Sequence, residues 1–415
     1  MKYLILTATA GNGHNSTAKR IREGLLARDP SCEIKTVDAF KQFSGRWNAW
    51  LINEAYFLAC DYAVLIYNAI FKKKEKTDYR AKTSDKAVMQ GYSVLSGILN
   101  EIYSFKPDVI ISTYVFCTVA LSNLKRVYPI PAKICSMTLD YGISPYWERC
   151  SYGVDVMFLT TEEMKAAFIE KGFSEKGLIA TGIPVSEQFG KTPKAEARAK
   201  LGLSPDKFTL VIMKASFFPV PDEKIVSQLR KLNADVQVVI INGNEKQRKR
   251  IEKLIRRKSC PCDIRNLGYT DEVPLYFSAA DLIFGKGGGL TVTEIVNAGK
   301  PALIAPRLPQ QEIYNKDYLV KNGCAVDVKD NEIAKTVNAL KNGTFLGATL
   351  AGMERNALSL RHPDALARIC ETLERLPVAD YSDVKVNDSH KTIKRKVNEA
   401  VKKSVKEHKT DKRLG

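Results

Sequence analysis

Residues 268–322 read GYTDEVPLYFSAADLIFGKGGGLTVTEIVNAGKPALIAPRLPQQEIYNKDYLVKN, and this stretch decides the fold. A short apolar run, Leu282–Phe284, leads into Gly285-Lys286-Gly287-Gly288-Gly289, and helical spacing begins at about Leu290. Glycines without a Cβ let the backbone approach a ligand closely. Their N–H groups, backed by a helix N-terminus, suit a pyrophosphate. Glu294 follows on the first turns of that helix, where a carboxylate can reach ribose hydroxyls. A second loop, Arg307–Glu312, follows the next apolar run and supplies Gln310, Gln311 and Glu312, with Asn315 just beyond. Amides and a carboxylate are what sugar hydroxyls need. Ligands of open α/β sheets sit at the carboxyl ends of the strands, so the two loops are expected to converge. The P-loop pattern GxxxxGK[ST] is absent, and GxGxxG does not follow the first strand.

Working outward, apolar runs Phe208–Met213, Val236–Ile241, Leu282–Phe284 and Ala302–Ala305 alternate with helical spacers. The N-terminal part repeats the theme: Lys2–Thr7, then the loop AGNGH (Ala10–His14), then helical Asn15–Ala27. Val109–Ser112, Lys133–Leu139 and Val154–Leu159 continue it, with a helical run at Cys117–Arg126. Alternation of strands and helices predicts an α/β chain of two consecutive domains of similar size. The charged, proline-bearing stretch KTPKAEARAKLGLSPDK separates them. The expected division is 1–190, 191–375 and a basic tail, 376–415.

Composition limits the partners. A chain of 415 residues with 45% hydrophobic and 27% charged residues is globular, not disordered, collagen-like or a small disulfide scaffold. The net charge of +18 admits nucleic acid, an anionic membrane or phosphorylated ligands. Residues 385–415 hold 11 Lys/Arg and 4 Asp/Glu, so +7 lies in the tail and +11 in the body. No nucleic-acid module is present and no aromatics interleave with the tail lysines, so no nucleic-acid partner is expected. Nine scattered cysteines read as reduced thiols of a cytoplasmic protein. Cys260-Pro-Cys262 is too tight for a zinc knuckle, and no metal site or cofactor is expected. The N-terminal apolar run is too short for a signal peptide and reads as a strand.

Two segments bear on membranes. Phe43–Phe71 carries 8 aromatics in 29 residues, among them Trp47, Trp50 and Phe57, and lysines begin at Lys72. Glu54 and Asp61 argue against a membrane span; a buried helical pair and an interfacial element both remain open. The tail places Ile393, Val397, Val401 and Val405 on one stripe between lysines. It reads either as a lipid-contacting helix or as a solvated tail.

His14, on the Gly11-x-Gly13 loop after the first strand, is the candidate general base. Asp140, just after a later strand, is placed to orient it or to serve instead. A plain loop histidine and a capping aspartate are the alternatives.

The chain resembles the diacylglycerol glycosyltransferases, which include monogalactosyldiacylglycerol synthases and processive diacylglycerol glucosyltransferases. The resemblance rests on AGNGH (Ala10–His14), KPDVIIST (Lys106–Thr113), TGIPV (Thr181–Val185), GKGGGLTVTE (Gly285–Glu294) and QEIYN (Gln311–Asn315). It implies an α/β GT-B fold of two Rossmann-like domains facing a cleft, with acceptor on the N-terminal domain, donor on the C-terminal one, and C-terminal helices crossing back. It also implies inverting, metal-independent transfer of a hexose from a UDP-sugar to a lipid hydroxyl by a protein peripheral to the cytoplasmic membrane, with His14 as base. The candidate donor set is Gly268, Tyr269, Lys286, Gly287, Gly288, Gly289, Thr291, Glu294, Gln310, Gln311, Glu312 and Asn315. The candidate acceptor and membrane set is Gly11, Gly13, Trp47, Trp50, Phe57 and Trp147.

The chain also departs from the pattern. Tyr114-Val115 replace a His-Pro pair, and Ser144 stands where relatives have a histidine. Lys214-Ala215-Ser216-Phe217-Phe218 replace a glycine-rich turn. The first two changes touch the acceptor side and the third the donor side. A polyprenyl-linked or soluble acceptor, or a UDP-sugar-binding protein without activity, are the alternative functions.

Overall fold

The computed structural model describes residues 1–9, 13–43, 94–150, 153–215, 218–306, 308–384, 388–389, 391–400 and 403. These fall into two compact units, one up to Pro184 together with residues from Asp364 onward, the other Val185–Pro363. The aromatic segment with Trp47, Trp50 and Phe57 lies outside the described residues, as do Gly11, Ser216, Phe217, Val401 and Val405.

The first unit holds six parallel strands: β1 (Lys2–Thr7), β2 (Glu33–Asp38), β3 (Val109–Ser112), β4 (Lys133–Met137), β5 (Val156–Leu159) and β6 (Leu178–Ala180), in the order β2-β1-β3-β4-β5-β6. The second holds β7 (Phe208–Ala215), β8 (Val236–Asn242), β9 (Asp263–Leu267), β10 (Leu282–Gly285), β11 (Ala302–Ile304) and β12 (Ala325–Asp327), in the order β12-β11-β10-β7-β8-β9. That is the strand order of dinucleotide-binding folds. Strands buried on both faces read as continuous apolar runs, and β8 (VQVVIIN) is buried at every position. In each sheet the winding reverses once, between β1 and β3 and between β7 and β10. Such reversals open a crevice at the carboxyl ends of the strands, which is where ligands bind.

The stretch after Pro193 lies in the second unit, as the expected division places it, whereas the C-terminal helices depart from that division. The charged stretch after Pro193 is helical over Lys194–Leu201 and belongs to the second unit. Buried Arg198 ties it down: the guanidinium donates to the Ala279 carbonyl at 3.1 Å, the Pro205 carbonyl at 2.6 Å and Asp281 at 2.5 Å. The chain passes between units at Pro184–Val185.

The C-terminal helices return to the first unit, as the resemblance implied. Helix Ala365–Glu374, expected in the C-terminal domain, packs on helix Gly13–Arg28, where Arg28 forks onto Glu374 at 2.7 and 2.9 Å. Residues 391–400 are helical, and Ile393 and Val397 are buried in the core formed by Leu4, Ile98, Ile110 and Leu121. This corrects both tail readings for these residues. The apolar stripe faces protein, and Asp388 fastens its start to the Tyr128 hydroxyl and the Lys396 ammonium, each at 2.7 Å. Ile393→Ala is expected to lower unfolding free energy by about 2–4 kcal/mol, measured by denaturant titration, because the vacated space is enclosed. A free tail would show no change.

Candidate active site

In the first unit the site grows from the reversal point between β1 and β3. Thr7 ends β1, and its hydroxyl bonds to the Asn15 side chain at 2.9 Å. Asn15 donates onward to the Thr9 hydroxyl at 3.1 Å, and the Thr9 N–H donates to Asp38 at 2.9 Å. These bonds brace the start of helix Gly13–Arg28, whose second residue is His14. The His14 Nδ1 lies 2.5 Å from the Thr113 carbonyl. A carbonyl only accepts, so Nδ1 carries the proton and Nε2 presents its lone pair. The Thr113 N–H donates to the Leu6 carbonyl at 3.0 Å, which fixes the accepting group at the end of β3. The Tyr114 ring meets the imidazole edge-on at 4.8 Å and begins a row through Phe116 and Tyr146.

Burial pushes the His14 imidazole below its ordinary pKa of 6.5, against the smaller upward pull of the Thr113 bond. The neutral, proton-accepting form is therefore the resting form near neutrality. If His14 is the base, activity is lost as pH falls through the folded-state pKa. The acid limb of a kcat/KM profile is expected to have its midpoint below 6.5. A midpoint above that value contradicts the geometry.

The orienting role considered for Asp140 is filled on Nδ1 by Thr113. Asp140 stays half-buried on the loop after β4, one strand from β3, with its carbonyl accepting from Thr160 at 3.2 Å. Trp147 is a core residue: the 3-10 turn Pro145–Cys150 places it among Val119, Met157 and Phe168, only 6% exposed. Its ring is packed inside the unit rather than presented at the surface. Gly13 opens the helix that carries His14. Sequence reasoning missed Thr113 as a site residue, because it acts through its backbone.

In the second unit the glycine loop follows β10, beside the reversal point. Gly288 caps helix Gly289–Ala298, which carries buried Thr291 and half-buried Glu294. The loop is clasped by the helix Gln310–Lys321: buried Asn315 donates to the Gly287 carbonyl at 2.7 Å, and Lys286 reaches Glu312 at 2.5 Å. A Cβ on Gly287 would lie 2.3 Å from the Glu312 carbonyl, so only glycine fits. The two loops do converge.

Two buried acceptors at this clasp have no hydrogen-bond partner among the described residues, Gln310 Oε1 and Glu312 Oε2. An unpaired buried acceptor costs roughly 1–3 kcal/mol, and ligand hydroxyls would satisfy both. Gln311 is half-buried beside them. Lys286 is committed to Glu312 rather than open to solvent. Gly268 and Tyr269 sit at the end of β9, with β7 and β8 between them and β10. The Tyr269 ring is 73% exposed and its hydroxyl donates to Asp271 at 2.9 Å.

At the end of β7 the departure from the glycine-rich turn has a structural account. Lys214, 2% exposed, pairs with Asp222, which also holds Arg250 at 3.3 Å. Ala215 adopts φ 50° at a register shift against β8. Phe218 packs edge-on against Phe284 of β10 at 5.2 Å. Among the described residues no cluster of three or more His, Cys, Asp or Glu could hold a metal ion, and no helix is long and apolar enough to cross a membrane.

Comparison with known proteins agrees with this layout. Residues 14–185 match the monogalactosyldiacylglycerol (MGDG) synthase family, and residues 219–369 match the glycosyltransferase family 28 C-terminal domain. A processive diacylglycerol beta-glucosyltransferase of Bacillus pumilus is 25% identical over 372 residues, covering 87% of this chain and 92% of the relative. One from Staphylococcus aureus is 27% identical over 359 residues, covering 82% and 85%. Among solved structures, Acinetobacter baumannii MurG has a TM-score of 0.58 at 16% identity, covering 90% of this chain and all 100% of that one. Anabaena HepE in complex with UDP-glucose has a TM-score of 0.53 at 15% identity, covering 91% and 100%. At these identities the structural likeness establishes the fold, a two-domain GT-B architecture.

Proposed function

We propose that this chain, whose residues 14–185 match the MGDG synthase family and 219–369 the family 28 C-terminal domain, is a diacylglycerol glycosyltransferase that moves a hexose from a UDP-sugar to the free hydroxyl of diacylglycerol, inverting the anomeric carbon. The observation that carries the donor half is the pair of buried acceptors beside the glycine loop, Gln310 Oε1 and Glu312 Oε2, that have no hydrogen-bond partner among the described residues. Hexose hydroxyls donate to them. The Gly285–Gly289 N–H groups and the helix N-terminus behind them meet the diphosphate, and Glu294 takes the ribose hydroxyls.

His14 Nε2 removes the proton from the acceptor hydroxyl, while Thr113 holds Nδ1–H and so fixes the tautomer. The new bond forms between the acceptor oxygen and the anomeric carbon. The bond from that carbon to the diphosphate oxygen breaks, and UDP leaves with the electron pair. No cofactor is required in this scheme, the UDP-sugar being a co-substrate. The acceptor resides in a membrane, so the protein is proposed to act as a peripheral protein at the cytoplasmic face. Trp47, Trp50 and Phe57 are proposed to contact lipid there.

Labelled UDP-hexoses, offered one at a time with diacylglycerol vesicles, test the reading. Label in the lipid extract is expected from at least one donor. The Lys214–Asp222 pair, standing where relatives have an open glycine turn, motivates one rival: a UDP-sugar-binding protein without turnover. UDP binding by calorimetry with no lipid-bound label from any donor would establish that rival.

A further inference from the structure

The helix Glu245–Arg257 reads EKQRKRIEKLIRR, with seven Lys/Arg, two acids and no aromatic residue. Its inner side is well held. Asn244 caps it by accepting from the Gln247 N–H at 2.9 Å, Ile251 is fully buried, and Leu254 and Ile255 pack against the core of the second unit. The outer side carries exposed Lys246, Lys249, Arg250, Lys253, Arg256 and Arg257. Their spacing of three and four residues puts them on one stripe about 16 Å long.

Both acids lie off that stripe and are engaged. Glu245 pairs with Arg248 at 2.7 Å and Glu252 with Arg256 at 3.1 Å. Among the described residues no ion pair holds Lys246, Lys249, Lys253 or Arg257. Like charges at these spacings repel and weaken a helix, so the stripe is maintained against its own electrostatics.

We propose that this stripe is a docking surface of the second unit for anionic phospholipid headgroups. Charge complementarity selects the occupant: Lys246, Lys249, Lys253 and Arg257, in one row with Arg250 (paired with Asp222 and Glu223) and Arg256 (paired with Glu252), fit a plane of phosphates, and each Lys or Arg near such a surface strengthens binding about fivefold. Single-stranded nucleic acid would call for aromatic stacking platforms, which the helix lacks. The proposal goes beyond the transfer reaction, since it concerns where the second unit rests and not what the site does. In the first unit, Ile393 and Val397 of residues 391–400 lie in the protein core and are not offered to lipid.

The test is flotation of the full chain with phosphatidylcholine vesicles, with and without phosphatidylglycerol, at low and high salt. The comparison is the variant Lys246→Gln, Lys249→Gln, Lys253→Gln and Arg257→Gln, whose substitutions keep good helix formers. An unchanged melting curve and UDP calorimetry establish its fold. The variant is expected to lose at least tenfold in binding to phosphatidylglycerol vesicles at low salt, with little difference on phosphatidylcholine alone. Unchanged partitioning overturns the proposal, as does a loss confined to oligonucleotide binding. Transfer to detergent-dispersed diacylglycerol reads the enzyme reaction separately. It stays unchanged in the variant if the stripe only docks, and a loss there overturns the docking role whatever becomes of the proposed reaction.

Discussion

His14→Ala is expected to reduce turnover by a factor of about 10² or more, while UDP affinity, measured by calorimetry, stays at the wild-type value. The split follows from the placement of the groups. His14 belongs to the first unit, and the clasp of Gly287, Glu312 and Asn315 belongs to the second. A tenfold change in rate is about 1.4 kcal/mol, so removing the base raises the barrier by roughly 3 kcal/mol or more. The imidazole is half-buried and its one described hydrogen bond goes to the Thr113 carbonyl, so its loss leaves the fold intact. Asp140→Asn supplies the contrast. Normal turnover in His14→Ala together with a dead Asp140→Asn would transfer the base to Asp140.

Gly287→Ala is the second large effect. The added methyl would stand 2.3 Å from the Glu312 carbonyl and 3.0 Å from Leu308 Cδ1. The carbonyl is backbone in the first turn of a helix and cannot swing aside. The loop must move instead, and it loses the bond from Asn315. A stability loss of about 1–3 kcal/mol is expected, with a fall in UDP affinity of about tenfold or more. Gly288→Ala is the matched control: its nearest atoms would be Lys286 Cε at 3.4 Å and Glu312 Oε1 at 3.8 Å, and its φ of −66° suits any residue. Equal effects from the two substitutions would mean that the loop is not clasped in this way.

The sequence marked the central strands well and the edges poorly. Lys2–Thr7, Val109–Ser112, Phe208–Met213 and Leu282–Phe284 were legible because both faces of a parallel sheet are covered, which leaves unbroken apolar runs. The strands without a sequence signal were β2, β6, β9 and β12, the four sheet edges. An edge strand is covered less, so Glu33–Asp38 (EIKTVD) and Asp263–Leu267 (DIRNL) carry charges, and the other two are only three residues long.

The sites divide in the same manner. Gln310, Glu312, Asn315 and the glycines stood out because side-chain chemistry and missing Cβ atoms are written in the sequence. Thr113 did not, because any residue there offers the same carbonyl. Ile393, Val397 and Trp147 were ambiguous for another reason: an apolar stripe or an aromatic ring looks alike whether it faces lipid or a protein core. Burial resolves that in favour of the core for these three residues.

The central claim is tested most directly by the product formed from UDP-α-glucose and UDP-α-galactose with a defined diacylglycerol. Mass spectrometry reads its composition and proton NMR its anomeric centre. The account predicts a hexosyl diacylglycerol with a β linkage from at least one donor. An α linkage would contradict the inverting scheme built on His14, and the absence of any hexosyl lipid, with UDP still bound, would contradict the assignment as a glycosyltransferase acting on diacylglycerol.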